Sequence, residues 1–433
     1  MPVSKINDDV FLKWLRQEVR PALGCTEPVA IAFAAAMACR YLHEPCVSVS
    51  GFVSENLYKN AMAVTIPGTQ CSGIAMAAAI GVYGADPDKG LEALRGLTAE
   101  HIKQAEVLVD QELVNITARA VPDFIHVDLT VSGKENRCRI VVKGGHTSIT
   151  ELYLNDQPVA DFCRPEKKAS TPPLPQFSVR EAFDFITRVP LRDIDFMLEA
   201  ARLNSELSQA GIHGRYGLNI AGTLSAALSQ GLMSDDLLYR IQLETVAASD
   251  ARMGGAPVTA MSNFGSGNQG ITATLPVVVL ARSLNADQET LARALTLSHL
   301  VAISVHARYT RLSALCAAST AAMGAAAGMA WLFSRDLNVV ESAVINMISD
   351  VSGIICDGAS GSCAMKVSTA TSSAFRSVLM ARQGVRVSST DGIVGVSAEQ
   401  TVDNLSRLVV NAMPATDKEI IHIMTEKDAL AHS

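Results

Sequence analysis

Val47-Ser-Val-Ser-Gly-Phe-Val53 alternates apolar and small polar residues with a period of two, the pattern of a half-buried strand. It is the point at which the chain changes character. The stretches 113–120, 124–131, 137–142 and 147–154 read as further strands, antiparallel in style. Between them, 68–84 reads as a small-residue helix and 90–109 as an amphipathic one. Helices interleaved with such strands predict an α+β domain over 46–163. Arg164-Pro-Glu-Lys-Lys-Ala-Ser-Thr-Pro-Pro-Leu-Pro-Gln176 carries four prolines and a lysine pair, and reads as a linker over 164–176. Beyond it, 177–433 is helical in pattern, without a fixed repeat or a low-complexity tract.

Upstream, Val10, Phe11, Trp14, Leu15 and Val19 share about one helical face, and Pro21 and Gly24 end that helix. Pro28 suits the first turn of a second helix, whose body over 29–42 is apolar all round. Both helices resemble the distal half in composition. Residues 1–45 are therefore expected to pack there. The predicted class is α+β: a large all-helical catalytic domain, 177–433, including the N-terminal helices, with a smaller α+β domain inserted.

Composition narrows the function. Of 433 residues, 48% are hydrophobic, enough for a large core, while aromatics at 5% point to close-packed Ala- and Gly-rich helices. A net charge of −7 without a basic stripe argues against nucleic-acid binding. The N-terminus is polar and acidic, unlike a secretory signal, and nine cysteines without a framework spacing read as reduced thiols in a cytoplasmic protein. The run 312–333 is long enough to span a membrane, but it is rich in Ala, Gly and Ser, and reads as a helix buried in a helical core. No membrane partner is expected. The state of assembly is open, and a homo-oligomer is compatible with the sequence.

Three cysteines stand in small or turn-forming surroundings: Cys25 in Gly24-Cys-Thr-Glu-Pro28, Cys316 in Leu315-Cys-Ala-Ala, and Cys356 in Cys356-Asp-Gly-Ala-Ser-Gly-Ser-Cys363. Thiolates gathered from distant segments are what an iron–sulfur cluster or zinc requires. They could also be three ordinary buried cysteines. Cys25 is expected at a helix N-terminus, where the dipole favours a thiolate. Three ligands on a four-iron cluster would leave one iron open as a Lewis acid. Cys363 admits three readings: ligand, substrate contact or core residue. Cys39, Cys46, Cys71, Cys138 and Cys163 read as ordinary.

Other polar groups are candidates for the rest of a site. Met261-Ser-Asn-Phe-Gly-Ser-Gly-Asn-Gln-Gly270 is neither a P-loop nor a dinucleotide fingerprint. It is a Gly-rich loop ahead of an apolar helix, suited to a carboxylate, with Asn263, Ser266, Asn268 and Gln269 as donors. Its alternative is a plain turn. Lys59, Asn60 and Thr69 lie in 54–69, where Lys59 could instead be a solvated surface group. His146, in Lys143-Gly-Gly-His-Thr147, could be an acid–base group or a cap. His299 and His306 read as structural.

Taken together, Gly24-Cys-Thr-Glu-Pro28, Lys59-Asn60, Pro67-Gly-Thr69, Gly144-Gly-His-Thr147, Ser249-Asp-Ala-Arg-Met-Gly254, Ser266-Gly-Asn-Gln-Gly270 and Cys356-Asp-Gly-Ala359 resemble the L-cysteine desulfidase family, over nearly the whole chain. The C-terminal half is more distantly similar to the catalytic α-domain of iron–sulfur L-serine dehydratases. The resemblance implies an oxygen-labile [4Fe-4S] cluster on Cys25, Cys316 and Cys356, no pyridoxal phosphate, and a small amino-acid substrate. The implied reaction converts L-cysteine and water to pyruvate, ammonia and hydrogen sulfide. Asn60, Asn263 and Asn268 would hold the substrate carboxylate. His146, then Lys59, then Lys366 are the candidate bases. An L-serine dehydratase with the same cluster is the alternative, and a non-enzymatic iron–sulfur redox or sensor protein the second.

Overall fold

A computed structural model describes residues 7–162, 177–309 and 313–431. Among the described residues two large hydrophobic cores dominate, beside three small clusters, and the class is α+β with helices predominating. The smaller core lies under a six-stranded mixed sheet. In chain order the strands are β1 (Val19–Leu23), β2 (Ser48–Ser54), β3 (Val114–Arg119), β4 (His126–Ser132), β5 (Arg137–Lys143), β6 (Ile149–Leu154), β7 (Gln157–Pro158) and β8 (Thr259–Asn263). The sheet runs β3-β2-β4-β5-β6-β7. Its pairings are antiparallel except β2–β3, which is parallel. β4 buries Val127, Leu129 and Val131 on one face. Its other face carries Asp128, held by Arg139 at 2.7 Å. Gly51 of β2 is required by contact: a Cβ there would lie 2.1 Å from the Asp128 carbonyl oxygen.

The larger core is built around the Ala317–Ser334 helix, which packs between Gln288–His306, Gly267–Ser283, Leu337–Val351 and Cys363–Arg382. Small residues bring these axes close. A Cβ on Gly324 would meet the Ser298 carbonyl oxygen at 2.2 Å. The apolar run weighed as a membrane span therefore includes the central helix of this core. Among the described residues no helix is long and apolar enough to cross a membrane.

The two N-terminal helices part company. Asp8–Glu18 joins the larger core through Phe11, whose ring lies 4.7 Å from Phe185 and 4.9 Å from Phe177. Thr26–Leu42 does not pack there as expected. It lies on β4 and β5 and against Ile74–Gly84, and its Ile31, Phe33 and Ala35 belong to the smaller core. An all-round apolar helix has no directional signature, so composition alone could not say which core it fills. The linker expected over 164–176 lies outside the described residues.

Between the two helices the chain forms β1, which pairs antiparallel with β8 from Val19↔Asn263 to Leu23↔Thr259. This pairing delivers Cys25 to the loop that precedes the Gly267–Ser283 helix.

Candidate active site

A cavity of about 90 Å³ opens where the two cores meet, and Cys25, Cys316, Cys356 and Cys363 all line it. Local structure places each thiol. Cys25 is the N-cap of the Thr26–Leu42 helix. Gly24 before it has φ +66, and a Cβ there would lie 2.0 Å from Pro67 Cγ. Cys316 is the N-cap of Ala317–Ser334, and Cys363 is the first residue of Cys363–Arg382. Leu315 and Ile355 form an antiparallel bridge, with Cys316 N–H donating to the Ile354 carbonyl (3.0 Å) and Cys356 N–H to the Ala314 carbonyl (2.7 Å). Residues either side of a bridged pair project to one face, so this short ladder sets Cys316 and Cys356 on the same face as diagonal neighbours. Ser266, also on the cavity wall, caps a fourth helix, Gly267–Ser283. Four helix N-termini thus surround one space, a positive environment suited to anions.

Burial opposes that preference at the thiols themselves. Cys25 is fully buried and is pushed up to about 12 by desolvation, with Arg252 pulling it down in part. Cys316 is likewise pushed up to about 12, by burial and then by the neighbouring Cys356 and Cys363. Cys363 is raised, again chiefly by burial. The helix-terminal position expected for Cys25 is observed, but burial outweighs the dipole there. Among the described residues no group of three or more His, Cys, Asp or Glu is drawn together tightly enough for one metal ion. The four thiols surround a volume instead of converging on a point.

Arg252 is the residue that sequence reasoning passed over. It ends the Leu237–Met253 helix, is 5% exposed, and lines the cavity. Its Nε donates to the Gly24 carbonyl at 3.1 Å. Among the described residues no carboxylate stands within ion-pair distance of it. Glu27 also reaches the cavity, with its carboxyl raised by burial first and lowered in part by Arg252. The signal for Arg252 was its place in Ser249-Asp-Ala-Arg-Met-Gly254, a cation among small residues.

The expected polar residues divide into two groups. Asn60, Ser266, Asn268 and His146 line the cavity. Asn60 Nδ2 donates to the Asn56 carbonyl at 2.9 Å, and Asn268 Oδ1 accepts from Ser249 Oγ at 3.2 Å. His146 also lines a second, outer hollow with Lys13, Arg16 and Arg20. Thr69, Asn263, Gln269 and Lys59 are not on the cavity wall. Thr69 closes its own turn, donating to the Ile66 carbonyl at 2.8 Å. Lys59 is 1% exposed; its Nζ is 2.6 Å from Asp417 Oδ1 and donates to the Cys356 carbonyl at 3.3 Å. As a general base it is misplaced: its nitrogen is engaged by a carboxylate away from the cavity wall, and it props up the Cys356 loop. Lys366 pairs with Asp357.

Asn263 and Gln269 form an internal chain. Asn263 Nδ2 donates to the His299 carbonyl (3.3 Å) and to His299 Nδ1 (3.0 Å). Its Oδ1 accepts from Gln269 Nε2 (2.8 Å). His299 therefore carries its hydrogen on Nε2, toward Thr274 Oγ1 at 3.0 Å. Full burial holds this histidine down to about 3. An unfolded histidine titrates near 6.5, so the unfolded chain takes up a proton here before the folded one. Stability from this group is complete above pH 6.5 and falls as the pH drops toward 3, by up to about 1.4 kcal/mol per pH unit. Urea unfolding at pH 7 and pH 4.5 is expected to show a shallower loss for His299→Gln than for the natural protein.

The profile of the serine dehydratase alpha chain matches residues 88–422. The chain belongs to that family. A UPF0597 protein of Klebsiella pneumoniae is 61% identical over 421 residues, 97% of this chain and 99% of its own. A UPF0597 protein of Chromobacterium violaceum is 46% identical over 96% of this chain and 97% of its own. The UPF0597 protein YhaM of Escherichia coli is 46% identical with the same coverage. The serine dehydratase alpha chain match includes Arg252, Cys316, Cys356 and Cys363 but not Cys25 or Asn60. The cavity thus joins residues inside the matched segment to residues ahead of it.

Proposed function

We propose that this protein is a lyase that carries out α,β-elimination on L-cysteine, releasing sulfide and leaving pyruvate and ammonia. The observation that carries the reading is the one cavity in which thiols from distant chain segments meet a buried arginine with no carboxylate partner among the described residues. The donor set fits a [4Fe-4S] cluster: four thiols around a volume, in reach of four helix N-termini, and too spread for a single ion. Cys25, Cys316 and Cys356 would hold it. When bound, the cluster would supply a Lewis acid toward the leaving group, and an anionic centre that the helix termini offset. Pyridoxal phosphate needs a lysine for its Schiff base, and the described residues of the cavity wall include no lysine.

The chain's own groups then have separate tasks. Arg252 takes the substrate carboxylate, with Asn60 and Asn268 as neutral donors beside it. Fixing that carboxylate orients the Cα–H bond and favours the charge that develops at Cα. The cavity's burial keeps bulk water from the reacting atoms. Once 2-aminoacrylate leaves, its tautomerisation and hydrolysis need no enzyme.

Dehydration of L-serine is the second reading, favoured by the family match to serine dehydratase alpha chain. Side-by-side kinetics on L-cysteine and L-serine with anaerobically reconstituted protein separates the two. A clear preference for serine overturns the desulfidase reading, and iron and acid-labile sulfide in protein purified without oxygen check the cluster. Arg252→Met is expected to raise KM for L-cysteine roughly 30-fold or more, the equivalent of about 2 kcal/mol for a lost charged hydrogen bond. Iron content measured on the same sample should be unchanged.

A further inference from the structure

His306 forms part of the wall of the thiol-lined cavity, and the elimination above gives it no task. Its ring is held on several sides. Phe264 and Tyr309 flank it with centroids at 4.7 and 4.9 Å. Gln269 Oε1 lies 2.6 Å from its Nδ1. The direction of that bond is decided one residue further back. The His299 carbonyl can only accept, so the Asn263 group facing it is Nδ2. Asn263 Oδ1 then faces Gln269 Nε2, and the Gln269 atom left for His306 is its oxygen. An amide oxygen cannot donate, so the hydrogen of this bond sits on His306 Nδ1. In the neutral ring the lone pair belongs to Nε2.

We infer that His306 takes the Cα proton in the elimination, and that Asn263 and Gln269 are positioning residues that hold the tautomer this step needs. The inference rests on the lyase reading. The step balances as follows. The proton passes from Cα to His306 Nε2, and the Cα–H electron pair becomes the second bond between Cα and Cβ. The Cβ–S bond breaks, and its pair leaves with sulfur as sulfide. The imidazolium then returns its proton to the departing sulfide or to water. A base fixed in orientation by a neighbouring group is the usual architecture of acid–base catalysis. The assignment gives a purpose to a chain of buried amides that does not reach the cavity itself. It also moves the role of base from Lys59, which Asp417 occupies, and from His146, which stands at the border with the outer hollow.

The test uses the full-length protein, reconstituted without oxygen, as wild type, His306→Gln and Gln269→Leu. Iron content, kcat, KM and exchange of the substrate Cα hydrogen in D2O are measured with L-cysteine and L-serine. His306→Gln is expected to keep its iron and its KM, and to lose kcat and Cα exchange together by about 10²–10⁴-fold. Gln269→Leu should fall between the two and shift the acidic limb of the kcat/KM profile. Nitrogen-15 NMR of labelled histidine in the wild type should show one ring protonated at Nδ1 and unprotonated at Nε2. That measurement stands even where a variant fails to fold. A His306→Gln protein that exchanges the Cα hydrogen at the wild-type rate overturns the assignment, as does a wild type without such an Nδ1–H ring. A wild type inert toward both amino acids overturns the lyase reading instead.

Discussion

Replacing Cys316 by alanine is expected to abolish iron retention and sulfide release together. The Ala314–Cys316 and Ile354–Cys356 segments are stitched by two backbone hydrogen bonds, so the backbone should keep its course when one thiol is removed. What disappears is one of the three donors proposed for the cluster, and Cys363, the remaining thiol on the cavity wall, leaves its helix at a different point and does not take the place of Cys316 in the ladder with Ile354–Cys356. Cys25→Ala and Cys356→Ala should behave alike. Cys39→Ala is the contrast, since Cys39 belongs to the smaller core and not to the cavity. Iron, acid-labile sulfide and sulfide release from L-cysteine, assayed on all four proteins without oxygen, give the answer. A Cys316→Ala protein with wild-type iron and activity removes Cys316 from the ligand set.

Lys59→Met should have the largest effect on stability. The ammonium is buried, is paired with Asp417 at 2.6 Å, and supports the Cys356 carbonyl. Its loss leaves the Asp417 carboxylate without its partner and the Cys356 loop without its prop. Breaking a buried pair from one side costs about 3–5 kcal/mol. Asp417→Ala should cost as much, since it strands the lysine. The double change Lys59→Met with Asp417→Leu should recover most of the loss, because two apolar groups need no partner. Urea unfolding of the three variants reads this directly. Single variants less than about 1 kcal/mol below wild type would mean that solvent reaches the pair.

The sequence made most of this fold readable, and the exceptions have causes. The alternation over 47–53, 113–120 and 124–131 marked strands observed within two residues of those limits, because the apolar residues of each are more covered than the polar ones between them. The parallel pairing of β2 with β3 was not readable, since alternation says nothing of direction. β1 and β8 were missed. β1 contains Pro21, which cannot donate to a ladder, and all five residues of β8 are buried, so neither alternates. The site was half legible. Cysteines in small-residue settings led to the cavity, because bulky neighbours would have closed it. Asn263, Gln269 and Thr69 have the chemistry of substrate donors, but their hydrogen bonds are taken up within the protein. Arg252 carried only the faint signal of a cation among small residues, and His306 carried none. Each is one of several polar groups on its helix, and only the tertiary fold shows that it borders a cavity.

Lys59 and Asp417 stand 358 residues apart in the chain. On a ribosome, the lysine and Cys25 emerge long before the carboxylate that neutralises the lysine. The Lys59–Asp417 pair can therefore close only once the Ala398–Ala431 helix has been made. A chain cut short before that helix keeps a lysine without the carboxylate it is buried against, and its failure to fold marks it for removal.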